Sequence, residues 1–286
     1  MRPDYINKQS LEKFIEGALH EDIGEGDHTT LAVIPENLQS KAQLIIKGEG
    51  ILAGMEVAKM IFQTLDKDLI WESNKKDGDR VWIGDVAFVI TAKARAILTG
   101  ERLALNCMQR MSGIATKTQH LVNQLRGTKS TILDTRKTTP NFRMMEKWAV
   151  AIGEGENHRY GLYDMILLKD NHIDYAGGLI KAVNQVKQYL KESGKKLMIE
   201  VETRTMDEVK EALSVGGVDV IMLDNMIPSE MREAVQLINK KCKVEASGGI
   251  SELNVREVAE SGVDYVSIGA LTHSYNSLDM SLKAIS

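Results

Sequence analysis

Cysteine is scarce in this chain, with only Cys107 and Cys242 among 286 residues, far apart and in no CxxC spacing. That excludes a disulfide framework and gives no zinc-ligand pattern, and each cysteine reads as a small buried apolar residue. Long apolar runs are missing too, with nothing near the roughly 18 uncharged residues that a membrane span requires. The opening MRPDYINKQSLEKFIEGAL carries early acids and has no apolar stretch of the kind that marks a secretory signal. A cytoplasmic location is the default expectation. There is no basic excess, since the formal net charge is -4, which argues against a nucleic-acid surface. No low-complexity tract suggests disorder.

What is present is a chain with 43% apolar residues, enough for one large core or two modest ones. From residue 131 a single pattern repeats: a short aliphatic run, a polar or glycine-bearing end, then an amphipathic helical stretch. The runs are TILDTR, MILLKDN, KLMIEVET, DVIMLDN, KVEASGG and DYVSIGA. Apolar on both faces, they are expected to be parallel strands covered by helices. Thr203 or Thr205 caps one helix and Gly216 stops it, while Ser251 with Glu252 is expected to open another that Gly262 closes. The fold class is therefore α/β, and a repeat of about 22 residues favours a β/α barrel over a flat sheet.

Before residue 100 the pattern differs. A helical LEKFIEGALHED is followed by the strand-like stretches KAQLIIKGEGILAG and DRVWIGDVAFVITAKARAIL, with turns at Lys76-Asp77-Gly78 and Gly84-Asp85. This predicts a separate N-terminal α+β domain over 1–111, with the C-terminal tail 275–286 packed on it, and a barrel domain over 112–274. A long helix from about Thr99 to Arg126 joins them, its apolar face running from Leu103 through Met108 and Met111 to Leu125.

Catalytic groups of β/α barrels come from the C-terminal ends of the strands. Here those ends carry Arg136 and Lys137, then Lys169, Glu202, Asp224, Ser247-Gly248-Gly249 and Gly269. Cations come first, carboxylates in the middle and glycines last. Glycine lets backbone N–H groups approach a phosphate, and Ser247 adds a hydroxyl donor. Glu202 and Asp224 are hard oxygen ligands suited to Mg²⁺ that keeps part of its water shell, and Glu200 points to the same strand face as Glu202. Salt bridges from these acids to Lys137 or Lys169 are the competing role. Arg136, Arg159 and Lys169, with His158, suit a planar acid bearing two adjacent carboxylates. Arg102 lies near the start of the predicted helix, where a cation is unfavourable unless an anion compensates; Glu101 can be that anion.

At these residues the sequence resembles a known family. TRKTTP at 135–140, ENHRYGLYD at 156–164 and LLKDNHI at 167–173 are similar to quinolinate phosphoribosyltransferases, also called nicotinate-nucleotide pyrophosphorylases. So are EDIGEGDHTT at 21–30, GERLALNCMQRMSGIAT at 100–116, IEVET at 199–203, DNM at 224–226, SGGI at 247–250 and GALTHS at 269–274, in one order along the chain. The resemblance implies an incomplete, open β/α barrel beside an N-terminal α+β sandwich. It implies quinolinate and phosphoribosyl pyrophosphate as substrates, Mg²⁺ as the cofactor, and nicotinate mononucleotide, CO₂ and pyrophosphate as products in de novo NAD biosynthesis. Arg136, His158, Arg159 and Lys169 would contact quinolinate. Lys137, Glu202, Asp224, Ser247, Gly248, Gly249, Ile268, Gly269 and Ala270 would line the phosphoribosyl side, with Lys169, Glu202 and Asp224 as the catalytic set. Arg102 would reach a neighbouring subunit's site in a head-to-tail homodimer, and hexameric assembly is compatible with that. Two positions depart from the family pattern: Asn141 replaces a usual glycine, and Gly153-Glu154-Gly155 replaces a run of glycines.

The paired acids and T-G turn of type I phosphoribosyltransferases are absent, which fits a different phosphoribosyl-binding fold. Two rivals share the residues. A Schiff-base aldolase would use Lys169 as nucleophile but leaves Arg102, Arg136 and Arg159 idle, and borohydride trapping would reveal it. A non-catalytic phosphometabolite sensor would need neither the acid pair nor the cations.

Overall fold

The computed structural model describes residues 2–285, which divide into two compact units. Unit 1 comprises residues up to Gln119, Thr138–Glu154 and Leu271 onward; unit 2 comprises His120–Lys137 and Gly155–Ala270. In chain order unit 1 begins with α1 (Lys8–Ile23), α2 (His28–Val33), β1 (Gln39–Ile46), β2 (Gly50–Ile51), α3 (Met55–Leu65), β3 (Ile70–Ser73), β4 (Arg80–Val81) and β5 (Val86–Lys93). Helix α4 (Ala94–Gln124) runs from this unit into the next, which opens with β6 (Thr131–Leu133). After α5 (Arg143–Ile152), a unit 1 element, unit 2 resumes with β7 (Ile166–Leu168), α6 (Asp170–Ala176), α7 (Leu179–Ser193), β8 (Ile199–Thr203), α8 (Met206–Val215), β9 (Val220–Asp224), α9 (Pro228–Ile238), β10 (Lys243–Ser247), α10 (Val255–Glu260) and β11 (Tyr265–Ser267). The chain closes with α11 (Ala270–His273) and β12 (Met280–Ile285).

In unit 1 the antiparallel sheet has the order β12-β1-β5-β3, so the last described strand pairs with the first. Strand β1 alternates, burying Ala42, Leu44 and Ile46, as a sheet covered on one face should. Helix α3 supplies the cover: Phe62 is fully buried and closes on Phe88, whose ring stacks on Trp71 at 3.9 Å. Sequence periodicity missed α3. It also assigned Ala94–Leu98 to a strand, whereas α4 begins at Ala94. The tract ARAIL is too short and too apolar to distinguish the two periods, and the break is set by a tertiary bond, Asp66 accepting the Lys93 N–H at 2.8 Å. Arg102 is therefore two turns into the helix, beyond reach of its dipole, and the argument for an anion drawn from that dipole does not hold.

The sheet of unit 2 has the order β6-β11-β10-β9-β8-β7 and its pairings are parallel. Read around the ring, each strand lies beside its chain neighbour except β6 and β7, which do not pair. The barrel is open at that seam, where residues 138–154 leave for unit 1. The six strands occupy the six predicted runs, and β8 is buried at every position, as a two-sided parallel strand requires. Thr205 caps α8 by accepting the Glu208 N–H, and Pro228 opens α9. Helix α10, however, starts at Val255 and not at Ser251: residues 252–254 form turns in which Ser251 and Asn254 bond each other.

Asn141 and Glu154, the two departures from the glycine pattern, both have positive φ, at 61° and 69°. Asparagine tolerates that region; glutamate does not. Glu154 is exposed. Glu154→Gly is therefore expected to raise unfolding stability by about 0.5–1 kcal/mol, the left-handed cost less the entropy of a new glycine. Urea titration checks this, and an unchanged or lower midpoint would show that Glu154 carries an offsetting role.

Candidate active site

The strand ends of unit 2 converge on two crowds of like charge. Arg136 follows β6, and Arg159 lies on the loop before β7, both half-buried. Burial and then the Arg136 charge lower the affinity of Arg159 for its proton, with Glu200 and Asp164 opposing. The Arg159 guanidinium donates to the Met165 carbonyl at 3.3 Å. Two guanidiniums that feel each other's charge suit an anionic ligand. Lys169, exposed at the end of β7, also acts electrostatically on Glu200 and Glu202. Its backbone N–H donates to His172 Nδ1 at 3.0 Å, which orients the KDNH turn.

The second crowd is anionic. Glu202 in β8 is 9% exposed, and its carboxyl is raised above the usual range by burial and then by the charge of Asp224 at the end of β9. It accepts the Asp170 N–H at 3.4 Å. Asp224 is half-buried and takes the amide of Asn225 at 2.6 Å. Two hard carboxylates that repel one another suit a divalent cation.

Next along the sheet come the glycines. Gly248 has φ 86° and Gly249 φ 62°. A Cβ on Gly248 would lie 2.2 Å from the Asn225 side-chain oxygen and 2.8 Å from its backbone nitrogen, so only glycine fits here. Asn225 is itself left-handed, φ 55°, and donates its N–H to the Ser247 carbonyl at 2.9 Å. The D-N and S-G-G motifs thus hold each other. Ser247, Gly269 and Ala270 are half-buried, and Lys137 is exposed. Ile268 is 2% exposed and gives its N–H to the Leu133 carbonyl at 3.0 Å, so its part is to set the strand end that Gly269 and Ala270 continue. Arg102 belongs to unit 1, where it is exposed on α4.

Two matches decide the family: residues 27–112 fit the quinolinate phosphoribosyl transferase N-terminal domain, and residues 114–283 fit its C-terminal domain. The chain belongs to the quinolinate phosphoribosyltransferase family. It is 45% identical over 298 aligned positions to quinolinate phosphoribosyltransferase [decarboxylating] 1b of Nicotiana tabacum, covering 99% of this chain and 85% of that one. It is 42% identical to the probable nicotinate-nucleotide pyrophosphorylase [carboxylating] of Bacillus subtilis strain 168, covering 97% and 94%. Among solved structures, NadC from Streptococcus pyogenes superposes with TM-score 0.91 at 38% identity, covering 98% of this chain and 99% of that one.

Within this quinolinate phosphoribosyltransferase fold, sequence reasoning overlooked two buried acids beneath the site. Asp134, fully buried, accepts the His158 N–H at 2.9 Å and the Asn157 amide at 2.7 Å, which fixes the loop that carries Arg159. Glu245, 1% exposed in β10, lies 3.5 Å from His158 Nε2, and Glu200 Oε2 lies 3.0 Å from the same nitrogen. A charged residue inside an apolar strand, as in KVEAS, was the available signal.

Burial, and then the neighbouring Glu200, push the Glu245 carboxyl up from 4.5 to about 8. The folded chain then keeps a proton that the unfolded chain releases above 4.5, so this contribution to stability is complete below that value and lost as pH rises through about 8. Glu245→Gln cannot lose the proton. It is expected to flatten the fall of Tm between about pH 6 and 9, by calorimetry, whereas the same slope in both proteins would mean that Glu245 is ionised throughout.

Proposed function

We propose that this family member joins quinolinate to phosphoribosyl pyrophosphate with loss of CO₂ and pyrophosphate, giving nicotinate mononucleotide for de novo NAD biosynthesis. The observation that carries the reading is the pairing of two charge crowds on one sheet: Arg136 with Arg159, and Glu202 with Asp224, followed by glycine loops. Arg136, Arg159 and Lys169 receive the two ring carboxylates, with His158 beside Arg159 in the same pocket. Lys137, Ser247 and the backbone at Gly248, Gly249, Gly269 and Ala270 receive the phosphates of the second substrate. Glu202 and Asp224 would hold Mg²⁺, which would supply charge neutralisation to the pyrophosphate.

Chemistry follows from that placement. The quinolinate nitrogen attacks the anomeric carbon as the bond to pyrophosphate breaks, and positive charge builds on the ribose. The Glu202 carboxyl, on the metal side, would offset that charge. The adjacent carboxylate then leaves as CO₂; its electron pair stays on the ring carbon, stabilised by the neighbouring positive nitrogen, and that carbon takes a proton from water. Most of the protein's work is orientation and electrostatics. Neither the aldolase nor the sensor reading is supported by relatives named quinolinate phosphoribosyltransferase or nicotinate-nucleotide pyrophosphorylase. In the same proposal the working unit is a head-to-tail homodimer in which exposed Arg102 serves the partner subunit's site.

The test is incubation with quinolinate, phosphoribosyl pyrophosphate and Mg²⁺, with nicotinate mononucleotide read by chromatography; excess chelator should stop it, and no product with metal present would sink the reading. Asp224→Ala is expected to raise the KM for phosphoribosyl pyrophosphate about tenfold while the KM for quinolinate moves little, because the acid stands on the metal side. Equal changes in both would remove Asp224 from that role.

A further inference from the structure

Beneath the carboxylate pocket His158 joins a chain of three further polar residues, Glu200, Glu245 and Ser267, that the reaction as described does not use. Ser267 of β11 donates its hydroxyl to Glu245 Oε1 in the neighbouring strand β10. Glu245 Oε2 and Glu200 Oε2 lie 3.5 Å and 3.0 Å from His158 Nε2. On the other side of the ring, Nδ1 accepts the Arg159 backbone N–H at 2.7 Å. A ring nitrogen that accepts an N–H carries no proton, so the network assigns the neutral ring's proton to Nε2, the nitrogen nearest the two carboxyls. His158 is thus bonded at Nδ1 and through its own N–H on Asp134 at 2.9 Å, and the two carboxyls stand against Nε2.

This arrangement has a geometric consequence for the next residue. Arg159 has its N–H tied to the His158 ring and its guanidinium tied to the Met165 carbonyl, which leaves the remaining guanidinium donors a restricted set of directions. Rotating the imidazole releases the first of those ties. Glu200 is the nearer carboxyl, and Glu245 adds a link from the ring to a further strand through Ser267.

We propose that Glu245 is a positioning residue of the quinolinate pocket: braced by Ser267, it holds the His158 ring, which holds the Arg159 backbone and so aims the Arg159 guanidinium at a substrate carboxylate. The inference rests on the functional reading above, and it predicts an effect on one substrate only. Glutamine keeps an acceptor and a donor in the same volume and can preserve the chain; alanine cannot.

Wild type is assayed first for nicotinate mononucleotide, and lack of product overturns the functional reading whatever Glu245 does. In steady-state kinetics Glu245→Ala is expected to raise the KM for quinolinate about tenfold, the equivalent of one lost hydrogen bond in the pocket, with the KM for phosphoribosyl pyrophosphate unchanged. Glu245→Gln should stay within about twofold of wild type. A rise shared by both substrates, a loss confined to kcat, or an alanine variant no worse than the glutamine one overturns the proposal. If Glu245→Ala does not fold, Ser267→Ala takes its place, with about a threefold selective rise expected and the same contrary outcomes. Independently of any substrate, the ¹⁵N spectrum of wild-type protein labelled at histidine, assigned with His158→Gln, should show an unprotonated Nδ1 and a protonated Nε2 for His158. A proton on Nδ1 overturns the inference while leaving the activity untouched.

Discussion

Lys169→Ala is expected to lower kcat/KM for quinolinate at least about thirtyfold, a loss of about 2 kcal/mol or more in transition-state stabilisation. The side chain is exposed at the end of β7, where it is free to meet a ligand, and it acts electrostatically on both Glu200 and Glu202. In the proposed site quinolinate gives up water at one carboxylate with Lys169 as its partner, so removing the ammonium would leave a desolvated anion unpaired. A point charge would suffice here if Arg136 and Arg159 provide the forked contacts as proposed, so Lys169→Arg should recover part of the lost rate. Steady-state kinetics decide the matter. Alanine kinetics like those of wild type would remove Lys169 from the site altogether, and would equally end any scheme in which this lysine forms a Schiff base.

The architecture of unit 2 was legible because its cues are local. Each strand is a short apolar run ended by a polar or glycine residue, and the rule that barrels place chemistry at those ends picks out the cations, acids and glycines without any coordinates. What periodicity could not supply was set by tertiary partners. The five residues Ala94–Leu98 fit either period, and only the Asp66 bond to Lys93 shows where β5 stops and α4 begins. The error carried into chemistry, since it put Arg102 at a helix end where it does not lie. Asp134 and Glu245 were passed over for another reason: a buried acid's role depends on which loop it reaches, and the partners of both lie on a segment, Asn157–His158, distant in sequence from Glu245. Asn141 and Glu154 show the converse case. The glycine pattern they interrupt reads as a demand for positive φ, and both residues adopt it at 61° and 69°.

Arg102→Ala should be nearly inactive on its own and yet recover when mixed with inactive Lys169→Ala. Arg102 is exposed on α4 of unit 1, and it is not among the residues gathered at the strand ends of unit 2. If it serves the partner subunit's site, each site of a head-to-tail dimer takes Lys169 from one chain and Arg102 from the other. A mixed dimer then has one site with both residues intact and one with neither. Random pairing of equal amounts makes about half the dimers mixed, so about a quarter of all sites should work. Each variant alone is expected to retain only about 3% of wild-type rate, from the loss of one charged partner to a carboxylate, which makes the rise on mixing about eightfold. Subunit exchange must be shown separately, by mass measurement of dimers formed from light and heavy chains. Exchange without recovery would place Arg102 in its own chain's site or outside catalysis, and recovery without exchange would rule out shared sites as its cause.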